Sequence, residues 1–234
     1  MNDIITFKIL ERYNIVHFFS CKPFNYLDKN IKDYFKIPDD IKIIGCNQTH
    51  SNRVVKIDKN NINDTFENTD GLITNLDNVA LITKVADCQS ILLYDYNKGV
   101  IGNIHSGWKG TLNKIIDNAL DIFINDYNCN PQDIIACINP SLLTCCSEFS
   151  LIEYDLFKKE FSEFLKTKNN NKCVIDLVGI NKYLMINKGL KEENIYISEK
   201  CTSCNNKIFH SYRKDNHTKN RNISIIYKKH DTIF

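Results

Sequence analysis

The chain has 234 residues, 43% hydrophobic and 25% charged, with 30 Lys and Arg against 28 Asp and Glu. This is the composition of a globular protein with a sizeable core, and a net charge of +2 spread over scattered basic residues offers no field to recruit nucleic acid or an anionic membrane. Residues 1–20 lack the basic start and long apolar core of an export leader, and no apolar run approaches the roughly 18–20 residues that cross a bilayer; the cytosol is the expected compartment, where the ten cysteines are reduced thiols.

In chain order, residues 4–9 and 14–19 predict strands, 27–36 a short helix, and 41–46 and 53–58 two further strands. The stretch Lys59 to Asn68, centred on Asn60-Asn61-Ile62-Asn63-Asp64, reads as a loop, and strands follow at 70–74, 79–85, 90–95 and 100–104. The clearest helix starts near Thr111: Leu112, Ile115, Ile116, Ala119 and Phe123 recur at helical spacing as one apolar stripe, and the Thr111 hydroxyl suits an N-cap. Helices at 150–166 and 177–189 and strands near 133–138, 194–198 and 222–228 complete the pattern. Successive strands without intervening helices argue against a purely parallel doubly wound sheet. The expected fold is α+β, one compact domain over residues 1–234, with mixed β-sheets covered by helices.

Three metal-competent side chains sit where strand-like runs end: His50 after 41–49, Cys88 in the break between 79–85 and 90–94, and His105 after 100–104. Strand ends gather on one rim of such folds, so the three can converge as two imidazoles and a thiolate, leaving a fourth position open as in catalytic zinc sites. Taken singly, each histidine reads as well as a satisfied polar residue, and Cys88 as buried filler. Next to His105, Ser106-Gly107-Trp108-Lys109-Gly110-Thr111 opens into the helix, where free amides and Lys109 favour an oxyanion; a tight turn with a solvated lysine is the alternative. Cys201-Thr202-Ser203-Cys204 resembles half of a zinc ribbon without its second pair, because the adjacent Cys145-Cys146 would point their side chains apart. Phe209-His210-Ser211-Tyr212-Arg213-Lys214-Asp215 with Arg221 could hold a phosphate or sugar, or could form a surface hairpin laced with weak ion pairs.

Gln48-Thr49-His50-Ser51, Asp70-Gly71-Leu72-Ile73-Thr74, Ala86-Asp87-Cys88-Gln89, His105-Ser106-Gly107-Trp108-Lys109-Gly110 and Ser211-Tyr212-Arg213-Lys214-Asp215, in this order, resemble the YfiH-like family, also called laccase-domain or polyphenol-oxidoreductase proteins. The resemblance runs from about residue 15 to the C-terminus. It implies a YfiH-like α/β sandwich and phosphorolysis of purine nucleosides (adenosine, inosine, methylthioadenosine), with adenosine deaminase activity. It also implies zinc, in preference to copper, on His50, Cys88 and His105. Asp87 would carry a proton or orient a ligand histidine, while Ser106, Lys109, Tyr212, Arg213 and Arg221 would bind substrate. The implied partners are a purine nucleoside and phosphate, and a monomer is expected.

The chain departs from the family pattern at Asn139-Pro140-Ser141-Leu142-Leu143-Thr144-Cys145, which lacks two glycines and a proline, at Lys109 in place of arginine, and at Asn220 in place of glycine. Three other readings remain. A copper polyphenol oxidase needs many histidines, and this chain has six with no His-x-His pair. A cysteine hydrolase acting on cell-wall precursors would use Cys88 as nucleophile with a histidine base. A non-catalytic module would bind metal or nucleotide without turnover.

Overall fold

Strand-forming segments crowd the first half of the chain, and the computed structural model, which describes residues 4–27, 30–168 and 171–228, pairs them into two large sheets and one small one. In chain order the elements are β1 (Ile4–Ile5), α1 (Lys8–Glu11), β2 (Ile15–Ser20), α2 (Ile31–Phe35), β3 (Lys42–Ile44), β4 (Val54–Ile57), β5 (Gly71–Thr74), β6 (Val79–Val85), β7 (Gln89–Asp95) and β8 (Val100–Ser106). Then come α3 (Trp108–Leu112), α4 (Ile115–Asp121), β9 (Ile134–Ile138), β10 (Glu148–Ser150), α5 (Leu151–Phe161), β11 (Leu165–Lys168), β12 (Lys172–Ile175), α6 (Leu177–Asn187), β13 (Ile195–Ile197) and β14 (Asn222–Lys228). One sheet has the order β1-β2-β14-β6-β3, the second β13-β9-β7-β8-β5-β4, and the small one β10-β12-β11. Parallel pairs (β3 with β6, β4 with β5, β13 with β9) sit among antiparallel ones, so both large sheets are mixed.

Alternate residues of a strand face opposite ways, and β6 and β14 use this to separate two cores. Leu81 and Ile226 face the second sheet and pack with Leu72, Leu92 and Ile101. Ile82, Ile223 and Ile225 face outward and are covered by Phe24, Ile37, Ile41 and Phe35 of α2. On the far side of the second sheet, Ile73, Ile91, Leu93 and Ile104 are covered by Ile115, Ile116, Ala119 and Phe123, the stripe of the clearest sequence helix, and by Ile180 and Leu184 of α6. The result is an α+β sandwich with helices on its outer faces. No helix among the described residues is long and apolar enough to cross a membrane.

The structure differs from the sequence expectation at three elements. The first strand stops at Ile5, because the Phe7 amide donates to His17 Nε2 at 2.7 Å and the chain turns into α1. The helix expected at Thr111 begins three residues earlier with Gly107 as N-cap; it breaks at Lys114, where φ is 55°, and resumes as α4. Thr111 therefore lies inside a helical turn, fully buried. The helix expected over 150–166 ends at Phe161, and Leu165–Lys168 pairs with β12 in the small sheet. That sheet carries no alternating signal, since β11 has mostly exposed side chains.

A buried polar knot joins the two large sheets. Asn103 Nδ2 donates to the carbonyls of Leu81 at 3.0 Å and Ser224 at 3.1 Å, while the hydroxyls of Thr83 and Ser90 approach its Oδ1 at 2.8 and 3.1 Å. Removing this side chain orphans buried polar groups, each costing about 1–3 kcal/mol. Asn103→Ala should lower unfolding stability by at least that amount in urea denaturation, and a loss below about 0.5 kcal/mol, the range of a neutral surface change, would contradict this role.

Candidate active site

The site is organised by Asp70, a carboxylate with no exposed surface immediately before β5. It accepts from the amides of Thr49 (3.2 Å), His50 (3.0 Å) and Ser51 (2.7 Å) and from the Ser51 hydroxyl (2.7 Å). The loop after β3 thus wraps around the carboxylate, and His50 takes a left-handed φ of 61°. Gln48 fixes the same loop from the other side: Nε2 donates to the Lys84 carbonyl and Oε1 accepts from its amide, each at 2.9 Å. Asp70 Oδ1 also lies 2.6 Å from His105 Nδ1. An ionised carboxylate only accepts, so Nδ1 carries a hydrogen and Nε2 is left as the nitrogen that can bind a metal once its own proton is lost.

Cys88 comes from the tight turn between β6 and β7, entered through Asp87 with φ 83°. Its Sγ is 3.7 Å from His50 Nε2, and single donor atoms of His50, Cys88 and His105 all lie within 4.8 Å of one another. His50 is exposed, Cys88 half-buried and His105 buried. Burial pushes the Cys88 thiol up, yet hydrogen bonds from His105 and His50 outweigh this and hold it down at about 6. Burial would lower His105, but Asp70 and Cys88 raise it to about 9. For Asp70, burial works upward while His105 and Ser51 bring the carboxyl down to about 2.

The donor set and its surroundings fit a metal ion. Two imidazoles and a thiolate are ligands of catalytic zinc, and a histidine tied through its other nitrogen to a carboxylate is the usual arrangement behind such ligands. Gly107 leaves the space: a Cβ there would stand 2.6 Å from His50 Cδ2 and 3.1 Å from Cys88 Sγ.

Two clefts meet at this cluster. The larger, of about 890 Å³, has His50 and Cys88 in its wall with Trp108, Leu142, Phe149, Leu177, Tyr212 and Arg213. The smaller, of about 470 Å³, is lined by His50, Cys88 and His105 with Tyr26, Lys84, Tyr212 and Arg221. Tyr212 therefore stands between the clefts, Arg213 faces the larger, and Arg221 the smaller. The Arg213 guanidinium is held by the carbonyls of Cys146 (2.7 Å) and Glu148 (2.8 Å), and Arg221 by those of Thr218 (2.7 Å) and Asn220 (2.8 Å).

Three expected residues sit differently from their expected roles. Asp87 lines the larger cleft but bonds to no ligand histidine: Oδ1 accepts from the Thr202 hydroxyl at 2.6 Å and Oδ2 from the Arg213 amide at 2.7 Å, so it also ties loops together. Ser106 is fully buried, its hydroxyl 2.9 Å from that of Thr111 and 3.2 Å from Asn181 Nδ2, and it lines neither cleft. Lys109 is exposed and lies over the Trp108 ring at 5.5 Å; it lines neither cleft. Sequence reasoning missed Asp70 as the orienter and Lys84 as the lysine at the smaller cleft. Only the Asp-Gly step opening β5 could have pointed to Asp70.

The altered family positions are accommodated without strain. Asn139, Leu143, Thr144 and Asn220 all avoid positive φ, so glycine is not required there. Asn139 joins the knot between the sheets by donating to Ser224 Oγ at 3.0 Å.

The fold and cluster define a class: an α+β sandwich with a three-donor, carboxylate-oriented site at the junction of two clefts. Residues 28–229 match the family described as "Multi-copper polyphenol oxidoreductase laccase", and the chain belongs to that family. A purine nucleoside phosphorylase of Borreliella burgdorferi is 34% identical over 199 residues, 82% of this chain and 84% of its own length. The purine nucleoside phosphorylase YlmD of Bacillus subtilis is 31% identical over 79% of this chain and 70% of its own length. The crystal structure of Bacillus licheniformis hypothetical protein YfiH shares the fold with a TM-score of 0.88 at 24% identity, covering 98% of this chain and 97% of that one. YlmD from Geobacillus stearothermophilus does so at 0.83 and 22%, over 93% of each chain.

Asp70→Asn keeps the shape of the side chain and removes its charge. It should weaken cobalt or zinc binding at the His50, Cys88 and His105 site by roughly 10–100-fold, the usual effect of losing such a partner. Competition titration against a chromophoric chelator checks this, and unchanged affinity would remove Asp70 from that role.

Proposed function

We propose that this protein is a zinc-dependent purine nucleoside phosphorylase, working as a cytosolic monomer on a purine nucleoside and phosphate. The observation that carries the reading is the placement of the three-donor cluster in a wall shared by a large cleft with apolar sides and a smaller basic one. The names of the relatives support the same chemistry. The larger cleft is within the usual range for a small-molecule site, about 300–1,000 Å³. Trp108, Leu142, Phe149 and Leu177 offer the purine and ribose apolar surfaces, and Arg213 and Tyr212 supply polar contacts at the rim.

Phosphorolysis joins a phosphate oxygen to the anomeric carbon as the bond to the purine nitrogen breaks. That nitrogen takes the electron pair and needs a proton. Lys84 and Arg221 in the smaller cleft would hold the phosphate dianion opposite the sugar, and the Tyr212 hydroxyl between the clefts could hydrogen-bond to either reactant. Zinc on His50, Cys88 and His105 would supply Lewis acidity at the junction. Asp70 holds His105 Nδ1–H and so keeps Nε2 available as a donor. The same cleft would serve adenosine deamination as a secondary activity. Apart from this cluster, the described residues contain one further group able to hold a metal, made only of cysteines, which does not favour multi-copper oxidation.

A metal-free cysteine hydrolase is the second reading, and one observation favours it: Cys88, His105 and Asp70 stand in the order nucleophile, base and orienting carboxylate.

Purified protein should release base from adenosine, inosine or methylthioadenosine only when phosphate is present, and Cys88→Ala and His105→Ala should each lose at least 100-fold in kcat/KM. Base release that ignores phosphate would defeat the phosphorylase reading, and phosphate-dependent release that persists in metal-free protein would defeat its zinc dependence. Lys84→Ala should raise KM for phosphate far more than KM for nucleoside, while Lys109→Ala changes neither appreciably; the reverse pattern would reassign the phosphate site. Alkylation separates the second reading, because a nucleophilic Cys88 reacts without chelator and is protected by substrate, whereas a zinc thiolate reacts only after chelation.

A further inference from the structure

We propose that Cys145, Cys146, Cys201 and Cys204 form a second metal site, closed by four thiolates around one zinc ion, which braces the wall of the large cleft. The sulfurs of these four residues all lie within 4.8 Å of one another. Cys204 Sγ is 3.6 Å from Cys145 Sγ and 3.4 Å from Cys146 Sγ. Zinc at about 2.3 Å from each of four sulfurs separates neighbouring sulfurs by about 3.8 Å, so the spacing is that of a tetrathiolate. It is far from the roughly 2.05 Å of a disulfide, and all four cysteines are free thiols.

The local backbone shows how adjacent cysteines converge where a strand would splay them. Cys145 and Cys146 lie in a turn closed by hydrogen bonds from the Cys146 and Ser147 amides to the Leu143 carbonyl, each at 2.9 Å. Successive side chains in a turn point less than half a revolution apart, so both reach one side. Cys201 and Cys204 flank a second turn, in which the Asn205 amide and side chain donate to the Cys201 carbonyl at 3.0 and 2.8 Å. The two turns are already joined, by the bridge between Ser141 and Cys201 and by the Thr202 amide donating to the Ser141 carbonyl at 2.9 Å. The sequence expectation that Cys145 and Cys146 diverge is therefore overturned, and the missing second pair of the ribbon-like motif is found.

Sulfur donors select zinc or iron among common cations, and a four-coordinate set with no open position is structural in character. Binding releases the thiol protons to solvent, leaving a dianionic centre. The Arg213 guanidinium, held on the Cys146 carbonyl, sets a positive charge beside it. The same link gives the ion its purpose. One turn carries Leu142 into the large cleft, and the other carries Thr202, which with the Arg213 amide is bound by Asp87. Cross-linking the turns fixes Leu142 and Arg213 relative to the three-donor site.

The test uses the full chain, purified under reducing, oxygen-free conditions. A variant combining His50→Ala and His105→Ala, which dismantles the first site, should still carry about one zinc per chain by elemental mass spectrometry. Adding Cys145→Ser and Cys204→Ser should remove it, whereas those two serines alone should leave the first site loaded. Cobalt titration of the unaltered chain needs no variant and should give the strong thiolate charge-transfer and d–d absorption of a tetrahedral four-sulfur site. Zinc content indifferent to both serines, iron in place of zinc, cobalt spectra with a single thiolate per ion, or a mass deficit showing disulfides in freshly purified protein would each overturn the proposal. Failure of phosphorolysis would leave these readouts unchanged.

Discussion

The candidate site rests on one buried carboxylate. Asp70 immediately precedes β5, has no exposed surface, and receives three amides, a hydroxyl and an imidazole. An unpaired charge in that position would be prohibitive; with five donors it becomes the point that sets the geometry of two ligands at once. His50 is placed through its backbone and His105 through its ring. The loop cannot relax without leaving the carboxylate short of donors, so the constraint acts in both directions.

The sandwich explains why residues so distant in sequence meet there. β7 and β8 are paired in register from Gln89–Ser106 to Asp95–Val100, which sets the turn carrying Cys88 beside the end of β8 and His105. Asp70 immediately precedes β5, the other neighbour of β8, and its carbonyl accepts from the His105 amide at 2.7 Å. Gly107 then turns the chain away at the spot where any side chain would fill the space between His50 and Cys88. Buried polar residues in the layer between the sheets, Thr83, Ser90, Asn103 and Ser224, lock the strands in this register, since a slip by one residue would separate their hydrogen-bonding groups.

The parts of this arrangement that were legible in the sequence are those that repeat. Apolar runs revealed β2, β6, β7, β8 and β14, and the stripe from Leu112 to Phe123 revealed the helical cover, because burial leaves its pattern along the chain. Strand ends brought His50, Cys88 and His105 under one heading. What has no period stayed hidden. Asp70 acts through a single contact to each partner, and the small sheet of β10, β11 and β12 is short and largely exposed. The Cys145-Cys146 turn reverses the rule for adjacent residues on a strand. Lys109 and Ser106 follow His105 in sequence yet line neither cleft: Lys109 lies exposed over the Trp108 ring, and Ser106, the last residue of β8, is buried against Thr111 and Asn181.

The most direct measurement of the central constraint is nitrogen NMR on protein labelled at its histidines and loaded with cadmium-113. Asp70 as the anchor predicts that His105 keeps its hydrogen on Nδ1, strongly deshielded by the carboxylate, and that its Nε2 shows scalar coupling to the metal. A hydrogen on Nε2, or coupling of cadmium to Nδ1, would contradict it.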